Sequence, residues 1–291
     1  MKLTKYIISA GLIFWLSTLL FLAQVAKMNE DYKTPVFENS IKNIATVNKI
    51  NSVDKKPAEA SVVIIIDDIG ADLEPLKELA NIKLSFTIAI LPFQSYSKEA
   101  AYFAKKQGWE IIIHVPMEPI DYPNKNPGIK ALMLKMSYQE LQKRFEEMYA
   151  DIPFAVGFNN HMGSKFTKIE TKLNPIMQIA KEKQLYFIDS KTSSASIAYK
   201  VALKNGIIAA ERDLFLDNEI NENVIREKFI KLINIANDNN IAIGICHTYP
   251  ETIKILAELP IILNQNKRNV IYASKALEKE WKMIHLASLI E

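Results

Sequence analysis

The chain has 291 residues, 49% of them hydrophobic, so it can bury the core of a domain of about 200 residues or more. Its formal net charge is +3 with lysines and glutamates scattered rather than clustered, which excludes the electrostatic footprint of a nucleic-acid-binding protein. The single cysteine, Cys246, excludes a disulfide framework or a CxxC metal knuckle within one chain and reads as a buried small hydrophobe.

At the amino terminus, Lys2 and Lys5 precede an uncharged stretch from Tyr6 to Ala26, long enough to span a ~30 Å hydrocarbon core at ~1.5 Å per residue. The stretch ends "FLAQVAKMNE", where Gln24 stands at a position that a cleavage site after Ala26 would give to a small residue. Residues 1–30 are therefore expected to be a retained transmembrane signal anchor; cleavage would leave the domain secreted. The lysines ahead of the span place the amino terminus in the cytoplasm and the bulk of the chain on the periplasmic or extracytoplasmic side. Residues 31–59 are polar, with no sustained period, and read as a flexible tether.

From residue 60 to 291 the pattern is that of one domain. Apolar runs, "VVIIID", "LSFTIAIL", "WEIIIHV", "FAVGFNN", "LYFIDS", "GIIAAERD" and "IAIGICHT", alternate with stretches of helical spacing such as "SYQELQKRFEEMYA". Runs apolar on both faces between helices predict an α/β fold with parallel strands covered on both sides, and about seven such units fit a (β/α) barrel.

Most of the runs end in polar or ionisable residues. Asp67 and Asp68 end the first, His114 the third, Asn159, Asn160 and His161 the fourth, Asp189 the fifth, Arg212 and Asp213 the sixth, and His247 the seventh. Parallel α/β folds build their sites where the carboxyl ends of the strands converge. Three of the four histidines occupy such ends; His285 reads as an ordinary helix residue.

Two adjacent carboxylates repel each other, and burial makes ionising both more costly; a divalent cation relieves that cost. One aspartate and two histidines with open positions suit Zn²⁺ or a similar first-row metal, leaving the second carboxylate as general base and a histidine across the pocket as acid. A metal-free glycosidase pair is disfavoured, because neighbouring residues of a strand point to opposite faces. No G-x-S-x-G elbow, P-loop or GxGxxG signature occurs.

The phrases "IIIDDIG", "IIIHVPMEP", "GFNNHMGSKFT", "FIDSKTS" and "CHTYPETI", spread over roughly residues 60–265, together resemble the divergent polysaccharide deacetylase family, distant relations of the NodB-type carbohydrate esterases. The resemblance implies a distorted (β/α) barrel that uses a bound metal to remove acyl groups, typically N-acetyl, from a polysaccharide or peptidoglycan-like glycan. It implies Asp67 as catalytic base, Asp68 and His114 as metal ligands and His247 as catalytic acid. Where the NodB-type pattern has a second ligand histidine, this chain has Glu118; either Glu118 takes that place or His161 supplies the imidazole, and we favour His161. Asn159 or Asn160 could bind the substrate carbonyl or orient His161. Asp189 could orient a histidine or the base, or cap the next helix, and Arg212 could hold a carboxylate, neutralise Asp189 or form a structural salt bridge. Asp217 reads as a turn or cap residue. The departure at Glu118 leaves a second expectation open, a catalytically decayed, membrane-tethered module that binds glycan or acts as a scaffold.

Overall fold

The structure, a computed structural model, describes residues 60–279. The expected anchor and tether, and His285, lie outside the described residues. Among the described residues no helix is long and apolar enough to cross a membrane.

The core is a row of parallel strands. In chain order the elements are β1 (Ser61–Ile69), α1 (Glu74–Leu79), β2 (Thr87–Ile90), α2 (Ser97–Lys106), β3 (Glu110–Met117), α3 (Tyr138–Asp151), β4 (Gly157–Met162), α4 (Glu170–Glu182), β5 (Tyr186–Asp189), α5 (Ala198–Lys204), β6 (Ala209–Glu211), β7 (Leu214–Phe215), α6 (Glu222–Asn239), β8 (Ile241–Cys246), α7 (Pro250–Gln265) and β9 (Asn269–Val270). The strands lie in the order β6-β5-β4-β3-β2-β1-β8-β7, with β9 pairing the start of β1. This corrects the expected seven strands: eight form the row. The additional one, β7, has two residues, too few to show any alternation in sequence.

Only Arg212 and Asp213 separate β6 at one edge of the row from β7 at the other. The sheet therefore curls until its edges meet, joined by the chain itself. Arg212 N donates to Asp189 O on one side of the seam, and Asp213 N to Ile243 O on the other.

Side-chain alternation divides the core in two. Val62, Ile64 and Ile66 of β1 face outward into the layer filled by the helices, with Leu76, Phe145, Ile176, Phe229 and Leu256. Val63 and Ile65 face inward with Ala89, Ile112, Ile188, Ile243 and Ile245. Each of the Val, Leu, Ile and Phe side chains among them, fully buried, contributes about 1.5–3 kcal/mol relative to exposure. The same parity, continued to the carboxyl ends of the strands, brings Asp67, His114, Asn159, His161 and His247 to the inner mouth.

Local signals set the helices that follow. A reciprocal capping box starts α3: Ser137 Oγ accepts from Glu140 N, and Glu140 Oε2 accepts from Ser137 N at 2.6 Å. Pro250 opens α7, which fixes the turn immediately after His247.

Candidate active site

The site starts at the end of β1. Its register against β2 shifts between Ile66 and Ile69, and Asp68 adopts φ 62°, a left-handed conformation that aspartate tolerates better than most residues. That turn defeats the strict alternation expected of neighbouring residues. Both carboxylates consequently reach the same imidazole: His114 Nε2 lies 3.1 Å from Asp68 Oδ1 and 3.6 Å from Asp67 Oδ2.

His161, two residues beyond Asn159 on β4, adds a second ring. Its Nδ1 is 2.8 Å from Asp68 Oδ1 and 3.1 Å from His114 Nε2, and the two rings meet edge to face. Among the described residues, Asp68, His114 and His161 form a group whose ligand atoms all lie within 4.8 Å of one another. Asp68 Oδ1 is buried yet makes no well-directed hydrogen bond, although two ring nitrogens flank it. Lone pairs converging on one point, with a buried oxygen left unsatisfied, fit a divalent cation.

The electrostatics follow from this crowding. Burial raises the Asp67 pKa, only partly offset by the nearby His114 and His247. For Asp68 burial acts in the same direction, but the His114 and His161 rings outweigh it and hold the carboxyl well below the usual range. Burial pulls the His114 pKa down, yet Asp67 and Asp68 together bring it above the ordinary value.

His247 reaches the mouth from β8. Its Nδ1 lies 2.9 Å from Asp217 Oδ1, its backbone N donates to Asp217 Oδ2 at 2.6 Å, and Thr252 Oγ1 donates to that same oxygen at 2.9 Å. The Nε2 edge turns toward Asp68 Oδ2, 3.8 Å away. Burial depresses the ring's pKa, but the Asp217 hydrogen bond and the charges of Asp67, Asp217 and Asp68 push it to about 9. Asp217 is thus more than the turn or cap residue that its "LFLDN" context suggested. What the sequence withheld is the pairing, because the two residues are 30 apart. Phe215 stacks beside the ring and Tyr249 lies across it, with centroids 6.3 and 5.6 Å away.

The remaining expected residues divide. Asn159 joins the cluster: its Nδ2 donates to Asp67 Oδ1 at 2.9 Å, and its Oδ1 lies 2.7 Å from His114 Nδ1. Asn160 faces away, donating to Met162 O and accepting from Ser190 N. Asp189 accepts from Lys191 N, Ser196 Oγ and Tyr199 N, ordering the loop into α5. Arg212 spans the seam, donating to Ser190 O and Lys191 O over the Phe215 ring. Glu118 accepts from Leu134 N at 2.7 Å and Lys165 Nζ at 2.6 Å, tying down the loop between β3 and α3. Its carboxylate is not in the three-residue group.

Comparison with known proteins bears on family and fold. YibQ, an uncharacterized protein of Escherichia coli K12, is 31% identical over 219 residues, 75% of this chain and 68% of its own length. An uncharacterized protein of Haemophilus influenzae is 30% identical over 221 residues, covering 76% of this chain and 78% of that one. In fold, the crystal structure of the uncharacterized protein ATU2773 from Agrobacterium tumefaciens matches with a TM-score of 0.72 at 22% identity, over 77% of this chain and 92% of that one. The family profile described as divergent polysaccharide deacetylase matches residues 64–277, every strand from β2 to β9 and most of β1 included. This chain belongs to the divergent polysaccharide deacetylase family.

Proposed function

We propose that the chain is a metal-dependent hydrolase that removes acyl groups, N-acetyl above all, from a polysaccharide or peptidoglycan-like glycan of the cell envelope. It works on the outer side of a membrane to which residues 1–30 anchor it. The observation that carries the reading is the convergence of Asp68 Oδ1, His114 Nε2 and His161 Nδ1 beside a buried carboxylate, Asp67, and an imidazole held by Asp217. Family membership supports it, and the tie of Glu118 to Leu134 and Lys165 supports His161 rather than Glu118 as the third ligand.

A zinc-like divalent ion held by Asp68, His114 and His161 would polarise the acyl carbonyl and make a water acidic. Asp67, whose buried setting raises its affinity for a proton, accepts the proton from the attacking water. His247, whose protonated ring the Asp217 carboxylate favours, gives the proton at Nε2 to the leaving nitrogen. Asp217 keeps Nδ1 occupied, so Nε2 is the edge presented. The half-exposed Asp68 and the partly exposed His161 and His247 leave the mouth open to a chain-like substrate.

The test measures zinc content and acetate release from N-acetylated chito-oligosaccharides. The parent should hold about one zinc per chain, and Asp68→Ala, His114→Ala and His161→Ala should lose it together with activity. A parent that takes up no metal when supplied with it ends the hydrolase reading. Zinc bound without acetate release from any acetylated glycan would turn the assignment to a tethered glycan-binding module.

A further inference from the structure

Asn159 is fully buried on β4, directly opposite His114 in the ladder. Both ends of its side-chain amide are engaged: Nδ2 with Asp67 Oδ1 at 2.9 Å and Oδ1 with His114 Nδ1 at 2.7 Å. An amide nitrogen only donates and an amide oxygen only accepts, so the two contacts have a direction. His114 Nδ1 must carry a hydrogen, which leaves the lone pair on Nε2. Asp67 Oδ1 must accept, which leaves Oδ2 as the oxygen free to take a proton. Those two freed atoms face each other across 3.6 Å at the edge of the ligand group.

Turning the amide over would set its oxygen against the Asp67 carboxylate and its hydrogens against His114 Nδ1. That arrangement places the ring hydrogen on Nε2 and leaves no lone pair there for a cation. The neighbouring Asn160 shows the contrast: its amide pins backbone groups of Met162 and Ser190 and touches neither His114 nor Asp67.

We propose that Asn159 is a positioning residue that links the ligating lone pair of His114 to the proton-accepting oxygen of Asp67, so that one buried amide prepares the site for both cation and proton transfer. The inference rests on the reading of Asp67 as base and His114 as ligand. It extends that reading by predicting that the two roles can be separated at a single side chain.

Two variants separate them. Asn159→Leu removes both contacts in a similar volume, and zinc affinity, measured by competition with a chromophoric chelator, should fall about 10–100-fold. Asn159→Asp keeps an acceptor for His114 Nδ1 but opposes a second carboxylate to Asp67. Its zinc affinity should stay at the parent value while kcat for acetate release drops about 100-fold at unchanged KM. An Asn159→Leu protein that binds zinc as tightly as the parent, or an Asn159→Asp protein with the parent kcat, would overturn the proposal. Imidazole nitrogen NMR of the zinc-free protein, at a pH where His114 is neutral, supplies an independent readout. It should find the hydrogen on Nδ1 in the parent and in Asn159→Asp, and a mixture in Asn159→Leu if that variant folds. A parent carrying the hydrogen on Nε2 refutes the inference. Failure of the parent to bind zinc would sink the hydrolase reading but leave the nitrogen measurement decisive for Asn159.

Discussion

Two adjacent aspartates can serve one site only if the chain turns between them. Period-two alternation places Asp67 on the inner face of β1 and sends Asp68 the other way; φ 62° at Asp68 cancels that, and period alone gives no hint of it. The strand-end position of the doublet was legible in "IIIDDIG", and the turn that makes both usable was not. The His247 and Asp217 pair is the second case, since no local pattern links a residue just after β8 with one just after β7. Its energetics give a signed prediction. The folded His247 pKa of about 9 exceeds the ordinary 6.5, so its contribution to stability is complete below pH 6.5 and is lost as pH rises through about 9. The Tm of the metal-free protein should fall across that window. Asp217→Asn, which keeps the shape and removes the charge, should bring the ring pKa down toward 6.5 and shrink the fall in Tm. A ring titration by proton NMR that does not move in Asp217→Asn would show that Asp217 does not hold the charge on His247.

Among the elements, long apolar runs were readable and very short ones were not. β1, β3 and β8 are buried along almost their whole length, and continuous Val and Ile runs announce this; β7 and β9, two residues each, exist because neighbouring strands offer a free edge. The loop between β3 and α3 is the longest connection at the mouth, and Glu118 explains how it is held. Its backbone N donates to Leu132 O, its carboxylate takes Leu134 N and Lys165 Nζ, and its carbonyl accepts from Lys165 N and Phe166 N. A family comparison by position invites Glu118 to replace a ligand, whereas its contacts describe a clamp. Glu118→Ala leaves the Leu134 N–H without its partner, at a cost of about 1–3 kcal/mol. Urea unfolding should register that loss while zinc content stays at the parent value. Loss of zinc with unchanged stability would reverse the assignment and make Glu118 a ligand.

Across the described domain, residues 60–279, the barrel has two differently finished ends. At the carboxyl end the inner face carries Asp67, His114, Asn159, His161 and His247, and this was foreseeable because apolar runs that stop in polar residues align once strands run parallel. At the amino end the helical residues 273–279 fill the mouth: Ala273, Ala276 and Leu277 join the interior cluster with Val63, Ile112 and Ile243. Long-range contacts fix that plug. Ala273 N donates to Thr87 Oγ1, Ser274 N to Glu110 Oε1, Tyr272 Oη to Gly108 O, and Lys279 Nζ to Ser61 Oγ across 218 residues of sequence. No sequence window contains both partners of such a contact, so neither the plug nor the seam between β6 and β7 could be read in advance. Leu277 is 3% exposed, and Leu277→Ala should cost about 2–5 kcal/mol by opening a cavity inside the barrel. Because the plug and the group of Asp68, His114 and His161 occupy opposite ends of the strands, zinc affinity measured well below the melting temperature should remain at the parent value. Parallel loss of zinc affinity would mean that the interior transmits the disturbance along the strands and that the two ends are coupled. A large drop in the urea midpoint with intact zinc binding would establish the amino-end plug as a stability element separate from the chemistry.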